Sequence, residues 1–137
     1  MSKTAKIIIF SVLGFVLVCC GGGAAAVFFF VNAGLKEPKA AAGDFLTALE
    51  GGNNQAAYQM LCDSARESYG PETFASFVEQ HAPASHDLGF GGSYSNTDGN
   101  ETASITASIT YKNGSKDSRT LPMTKEGGAW KVCGNPY

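Results

Sequence analysis

Apolar residues run from Ile7 to Val31 without a charged interruption, then recur at helical and finally at strand spacing. At a helical rise of about 1.5 Å per residue the first run spans roughly 37 Å. That is enough to cross a hydrocarbon core of about 30 Å once, with modest tilt. Beyond it, Phe45, Ala48 and Leu49 share one helical face, and Gly51-Gly52 ends that helix. Asn53 or Asn54 can cap a second helix that presents Ala57, Tyr58, Leu61 and Cys62 at spacings of three and four. Pro71 suits the first turn of a third helix, with Phe74, Phe77, Val78 and His81 along one stripe.

From Leu88 onward the spacing changes to two. Leu88, Phe90, Gly92 and Tyr94 alternate along a first strand, closed by the turn signal Asp98-Gly99. The stretch Thr102–Tyr111 then alternates small hydroxyl residues with Ala103, Ile105, Ala107 and Ile109, which predicts one buried and one solvated face. Asn113-Gly114 marks a hairpin. A third strand around Arg119–Thr124 puts Leu121 and Met123 together, with Pro122 implying an edge or a bulge. Gly127-Gly128 leads into a last strand, Ala129–Cys133, on which Trp130 and Val132 share a face. The pattern predicts an α+β domain: three helices against four antiparallel strands.

The domain organisation follows: residues 1–6 a tail, 7–31 a transmembrane signal anchor, 32–39 a short basic stalk, and 40–137 the folded domain. Val27–Val31 continues the apolar run past the small residues at Ala24 and Ala26, which favours an uncleaved anchor over a cleaved signal peptide. Lys3 and Lys6 before the run and Lys36 and Lys39 after it orient it only weakly, toward a cytoplasmic N-terminus. Gly21–Ala26 offers small residues four apart, a spacing compatible with helix dimerisation in a bilayer.

From Lys36 onward twelve acids face eight bases, a mild charge that argues against a nucleic-acid surface. Acids dominate residues 40–101 and bases residues 112–131, consistent with internal complementarity and solubility. Two cysteines lie in the domain, Cys62 and Cys133. In a small exported domain they are expected to pair, two free buried thiols being the alternative. Strict alternation would turn Cys133 away from the Trp130 face, so pairing requires the strand to end or twist there.

Ala42–Leu49, then Gly51-Gly52-Asn53 and Ala56–Leu61, resembles the first-to-second-helix pattern of the nuclear-transport-factor-two-like (cystatin-like) superfamily, in particular its bacterial membrane-anchored members of unknown function. Gly128–Val132 resembles that group's final strand. The resemblance implies a cone-shaped fold with a curved sheet and a place in the bacterial envelope. It carries over no functional residue, because the fold hosts enzymes, binding modules and assembly domains alike.

Candidate chemistry is sparse. His81 and His86 have no metal-site spacing, and no cofactor or metal is expected. Ser85-His86-Asp87 contains triad residue types, but sequence neighbours seldom converge in space, so no catalytic residue is assigned. Asn100-Glu101-Thr102 and Asn113-Gly114-Ser115 fit the glycosylation pattern and are read as turns. Tyr58, Phe74, Phe77, Phe90, Tyr94 and Trp130 could line a cavity in a cone-shaped fold, with simple core packing as the plainer alternative. The sequence thus leads to a single-pass, membrane-anchored extracytoplasmic domain, non-catalytic, for binding or assembly. Its expected partners are the lipid bilayer, an unknown envelope protein, and a second copy through the sheet or the Gly21–Ala26 segment. The alternative is a small-molecule enzyme or ligand carrier using the cone.

Overall fold

The computed structural model describes residues 23–134. Gly34–Tyr137 forms one compact unit, distinct from the residues before it. Most of the expected anchor, residues 7–22, lies outside the described residues, as do the side chains of 23–31. Among the described residues no helix is long and apolar enough to cross a membrane.

Among the described residues four helices precede four strands: α1 (Gly23–Glu50), α2 (Asn54–Gln59), α3 (Asp63–Ser68), α4 (Pro71–Gln80), β1 (Pro83–Thr97), β2 (Asn100–Tyr111), β3 (Lys116–Glu126) and β4 (Ala129–Val132). The sheet is a meander in the order β1-β2-β3-β4, every neighbouring pair antiparallel. The fold is α+β, with one more helix than the sequence pattern suggests.

The first helix differs most from expectation. Residues 32–39, expected as a stalk, are helical, and Pro38 is fully buried. Proline has no N–H to return to the Gly34 carbonyl, a cost in any helix interior. Burial offsets it: Pro38, Ala42, Phe45, Leu46 and Leu49 form one apolar stripe at helical spacing. At the other end the helix closes in a Schellman arrangement. Asn53 N–H reaches the Ala48 carbonyl (2.8 Å), Gly52 N–H reaches that of Leu49 (3.1 Å), and Gly52 takes the left-handed conformation.

The expected second helix divides. Asn53 caps α2 through its side chain, which accepts from Ala56 N–H (3.2 Å), but the helix ends at Gln59. Leu61 then pairs with Val132 as a parallel bridge, and Cys62 becomes the N-cap of α3. The hydrophobic spacing of Ala57, Leu61 and Cys62 is real, since all three are buried, yet three backbone conformations produce it. The third expected helix appears as α4, opening at Pro71 and burying Phe74 and Val78. His81, expected to continue the apolar stripe, is instead the C-cap and is exposed.

On β2, Ala103, Ile105, Ala107 and Ile109 are buried, joined by Leu121 and Met123 of β3 and Val132 of β4. Two of the turns have two residues with positive φ throughout: Asp98-Gly99 and Gly127-Gly128. The β2–β3 turn takes three residues, with Gly114 alone in the left-handed region and the Tyr111 N–H bonded to the Ser115 carbonyl (2.8 Å). Pro122 pairs with Ser104, and its carbonyl accepts from Cys133 N–H (2.7 Å). Its nitrogen therefore faces the side where β4 has ended, which is edge-like as expected.

β1 carries the main irregularity. Leu88 pairs with Ala107 and Gly92 with Ile105, so Gly89, Phe90 and Gly91 stand opposite Thr106 alone. Two extra residues leave Leu88, Gly92 and Tyr94 on the same face. Gly92 is required for close approach: a Cβ there would lie 2.8 Å from the Ser104 carbonyl oxygen.

Candidate functional site

The interior of the domain is apolar. No buried polar or charged residue occurs among the described residues; Phe45, Phe74, Leu61, Ile105 and Leu121 are among the largest fully buried side chains. Tyr58 shows how the margin is satisfied. Its ring packs on Phe74 with centroids 5.7 Å apart, and its hydroxyl donates to the carbonyls of Tyr69 (3.0 Å) and Arg66 (3.2 Å).

The polar chemistry gathers instead where the distal part of β1 meets α1. Tyr94 of β1, Glu101 of β2, Lys125 of β3, Trp130 of β4 and Glu37 of α1 form one connected cluster. Tyr94 donates its hydroxyl to Glu101 Oε1 (2.7 Å), and Lys125 Nζ lies 3.0 Å from Glu101 Oε2 and 3.6 Å from Glu37 Oε2. Trp130 Nε1 donates to Glu37 Oε2 (3.3 Å). The Tyr94 and Trp130 rings meet edge to face at 6.2 Å, and Lys125 Nζ stands 5.9 Å from the Trp130 ring. Gly34 brings α1 close, since a Cβ there would approach the Tyr94 ring to 3.2 Å.

The three groups that meet at Glu101 reinforce one another. The hydrogen bond to Glu101 raises the Tyr94 phenol, and the bonds from Tyr94 and then Lys125 lower the Glu101 carboxyl. The bond to Glu101 raises the Lys125 ammonium. All three shifts move away from neutrality, so the groups keep one protonation state near pH 7. Such a cluster offers fixed charges and two aromatic faces, but those three groups are not poised to exchange a proton there.

Beside it runs a groove of about 500 Å³, lined by apolar Ala41, Met60 and Trp130 and by charged Glu37, Asp44 and Lys131. Tyr58 lines a different pocket, with Pro71 and Glu72. His81, stacked on Phe77 at 4.7 Å, lines a third with Tyr111, Lys112 and Arg119. Of the six aromatic residues expected near a cavity, then, the fold pairs Tyr58 with Phe74 and Tyr94 with Trp130, and Phe77 packs on His81. The side chain of Phe90 lies outside the described residues. Ser85 and Asp87 alternate with His86 along β1 and face away from it, while His86 Nδ1 meets Glu50 Oε1 at 2.5 Å.

Cys62 and Cys133 form a disulfide, Cα atoms 5.3 Å apart. The strand-face difficulty disappears because β4 ends at Val132 and the Met60–Cys62 segment docks alongside it. Cys62 N–H bonds to the Val132 carbonyl and Val132 N–H to that of Met60, both 2.9 Å.

Glu37, Glu101 and Lys125 escape sequence reasoning. Glu37 sits in the expected stalk and Glu101 beside a turn signal, and no local spacing links them to Lys125. The alternation that put Tyr94 and Trp130 on inward faces was the one available signal.

No family model matches the chain, and no curated protein does. Among solved structures, one described as an NTF2-like transpeptidase from Campylobacter jejuni is similar, with a TM-score of 0.53 and 13% identity over 72% of this chain and 98% of the other. Aln2 from a Streptomyces species matches with a TM-score of 0.47 at 12% identity, over 72% and 84% of the two chains. At these identities the first likeness shows the fold alone: α+β, nuclear-transport-factor-two-like, with a curled antiparallel sheet. The second carries no argument.

Proposed function

We propose that this chain is a single-pass membrane protein of the bacterial cell envelope, presenting residues 40–137 outside the cytoplasm as a non-catalytic binding or assembly module. One observation carries the binding role: the polar groups of the domain lie at its surface, in a charge-fixed cluster around Tyr94 and Trp130, beside a groove, while its interior is apolar. An exposed Tyr94 beside a half-buried Trp130, both among paired charges, suits recognition of a partner with both apolar and polar groups. The disulfide supports an oxidising compartment. The length of the Ile7–Val31 run supports anchoring. The partners are the bilayer and an envelope protein or a second copy, for which the Thr102–Thr110 hydroxyl face and Gly21–Ala26 are further contact sites.

Photo-crosslinking from intact membranes, with the crosslinker beside Trp130, should capture a discrete adduct that Trp130→Ala and Tyr94→Ala both lose. Unchanged adducts in both variants would remove this surface from the proposal. Protease added to cells stripped of outer layers should digest the domain; complete protection would reverse the topology.

A further inference from the structure

We propose that, once its disulfide is reduced, the domain holds one zinc-class divalent cation between Cys62, Cys133 and Glu126. The two sulfurs and a carboxylate oxygen of Glu126 all lie within 4.8 Å of one another, with Cys62 buried and the other two half-buried. A tetrahedral zinc site needs sulfur–sulfur separations of about 3.8 Å, reached by small side-chain motions once the sulfurs are no longer bonded.

The backbone that presents the ligands is held by hydrogen bonds as well as by the disulfide. The Met60–Cys62 segment is fixed to Val132 by its two 2.9 Å hydrogen bonds, and Glu126 closes the β3–β4 turn by pairing with Ala129. The ligands also have outer partners. Asp63 N–H donates to Glu126 Oε2 (3.2 Å), which orients the carboxylate, and the Ser64 hydroxyl lies 3.2 Å from Cys62 Sγ. Two thiolates and one carboxylate favour zinc over calcium or magnesium, which prefer oxygen-only sets, and leave a fourth position for water.

The chemistry balances in two steps. A dithiol reductant gives two electrons and two protons to the Cys62–Cys133 bond and becomes a disulfide. The cation then displaces both thiol protons as it binds the two thiolates. Either crosslink ties the same two points of the chain, 71 residues apart.

The test uses the full chain in detergent micelles with Cys19→Ser and Cys20→Ser, so that the domain pair supplies the thiols. After reduction with a phosphine, cadmium titration should develop a thiolate-to-metal absorption band saturating at one equivalent, and the oxidised protein should give none. Glu126→Gln should weaken binding at least ten-fold, and Cys62→Ser should abolish the band. Zinc should also raise the melting temperature of the reduced protein, which capture by unfolded thiols would not do. No saturable band, undiminished affinity in Glu126→Gln, or an unmoved melting temperature would each overturn the proposal.

Discussion

Phe74 and Tyr94 are both aromatic residues on inward-facing positions, yet Phe74 is sealed from water and Tyr94 is 37% exposed. Phe74 packs with Phe45 at 6.5 Å and Tyr58 at 5.7 Å inside one apolar cluster, where shape decides. Around Tyr94 the neighbours are chosen for charge, and water reaches them all. The first region therefore carries stability through burial, of the order of 1.5–3 kcal/mol per large side chain. The second carries little, because exposed ion pairs are screened and pay for their own ordering. A surface that contributes little to folding yet is fully paired is better explained by what it meets than by what it supports.

The contrast can be broken first at the interior. Phe74→Ala should lower unfolding free energy by about 3–5 kcal/mol in chemical denaturation; a loss below about 1 kcal/mol would mean the core is not packed around it. Reducing the Cys62–Cys133 bond without added metal should cost up to about 4 kcal/mol in the chain-entropy model for this loop. Its measure is the denaturation midpoint with and without reductant. Gly92→Ala drives a methyl group against the Ser104 carbonyl and should cost about 1–3 kcal/mol, read in the same way.

The smallest effect belongs to the cluster. Glu101→Gln should leave the denaturation midpoint nearly unchanged at pH 7 while altering the emission of Trp130, the single tryptophan. The pH dependence has a fixed sign. Glu101 is lowered in the folded state, so its contribution is present above about pH 4.5 and lost as pH falls through the depressed value. Lys125 is raised, so its contribution is present below about pH 10.5 and lost as pH rises further. Trp130 emission should be flat between these limits. A transition near neutrality would show that the cluster contains a group poised for proton transfer, and would favour an enzyme.

What was legible in the sequence follows from the range over which each feature is encoded. β2 could be read residue by residue because small hydroxyls alternate with Ala and Ile, and only an extended chain separates them. The glycine turns were legible because positive φ singles out glycine locally. α3 was hidden because a helix, a bridge and a cap in succession bury the same positions as one continuous helix would. The continuation of α1 through Pro38 ran against local preference, and burial at the helix–sheet interface overrode it. The surface cluster was least legible: Glu37 and Trp130 are 93 residues apart, and their meeting is a property of the finished fold.

The glycine-flanked bulge on β1 sets a counting rule for the hairpin beyond it. Three residues oppose Thr106, an odd number, and so the strand leaves the bulge in the same phase in which it entered. Lengthening or shortening Gly89–Gly91 by one residue would rotate the rest of β1 by half a turn, send Tyr94 to the outer face and dismantle the cluster without touching any of its members. A change of two would preserve it. The length of this segment, more than its composition, is what ties the tip of the hairpin to α1.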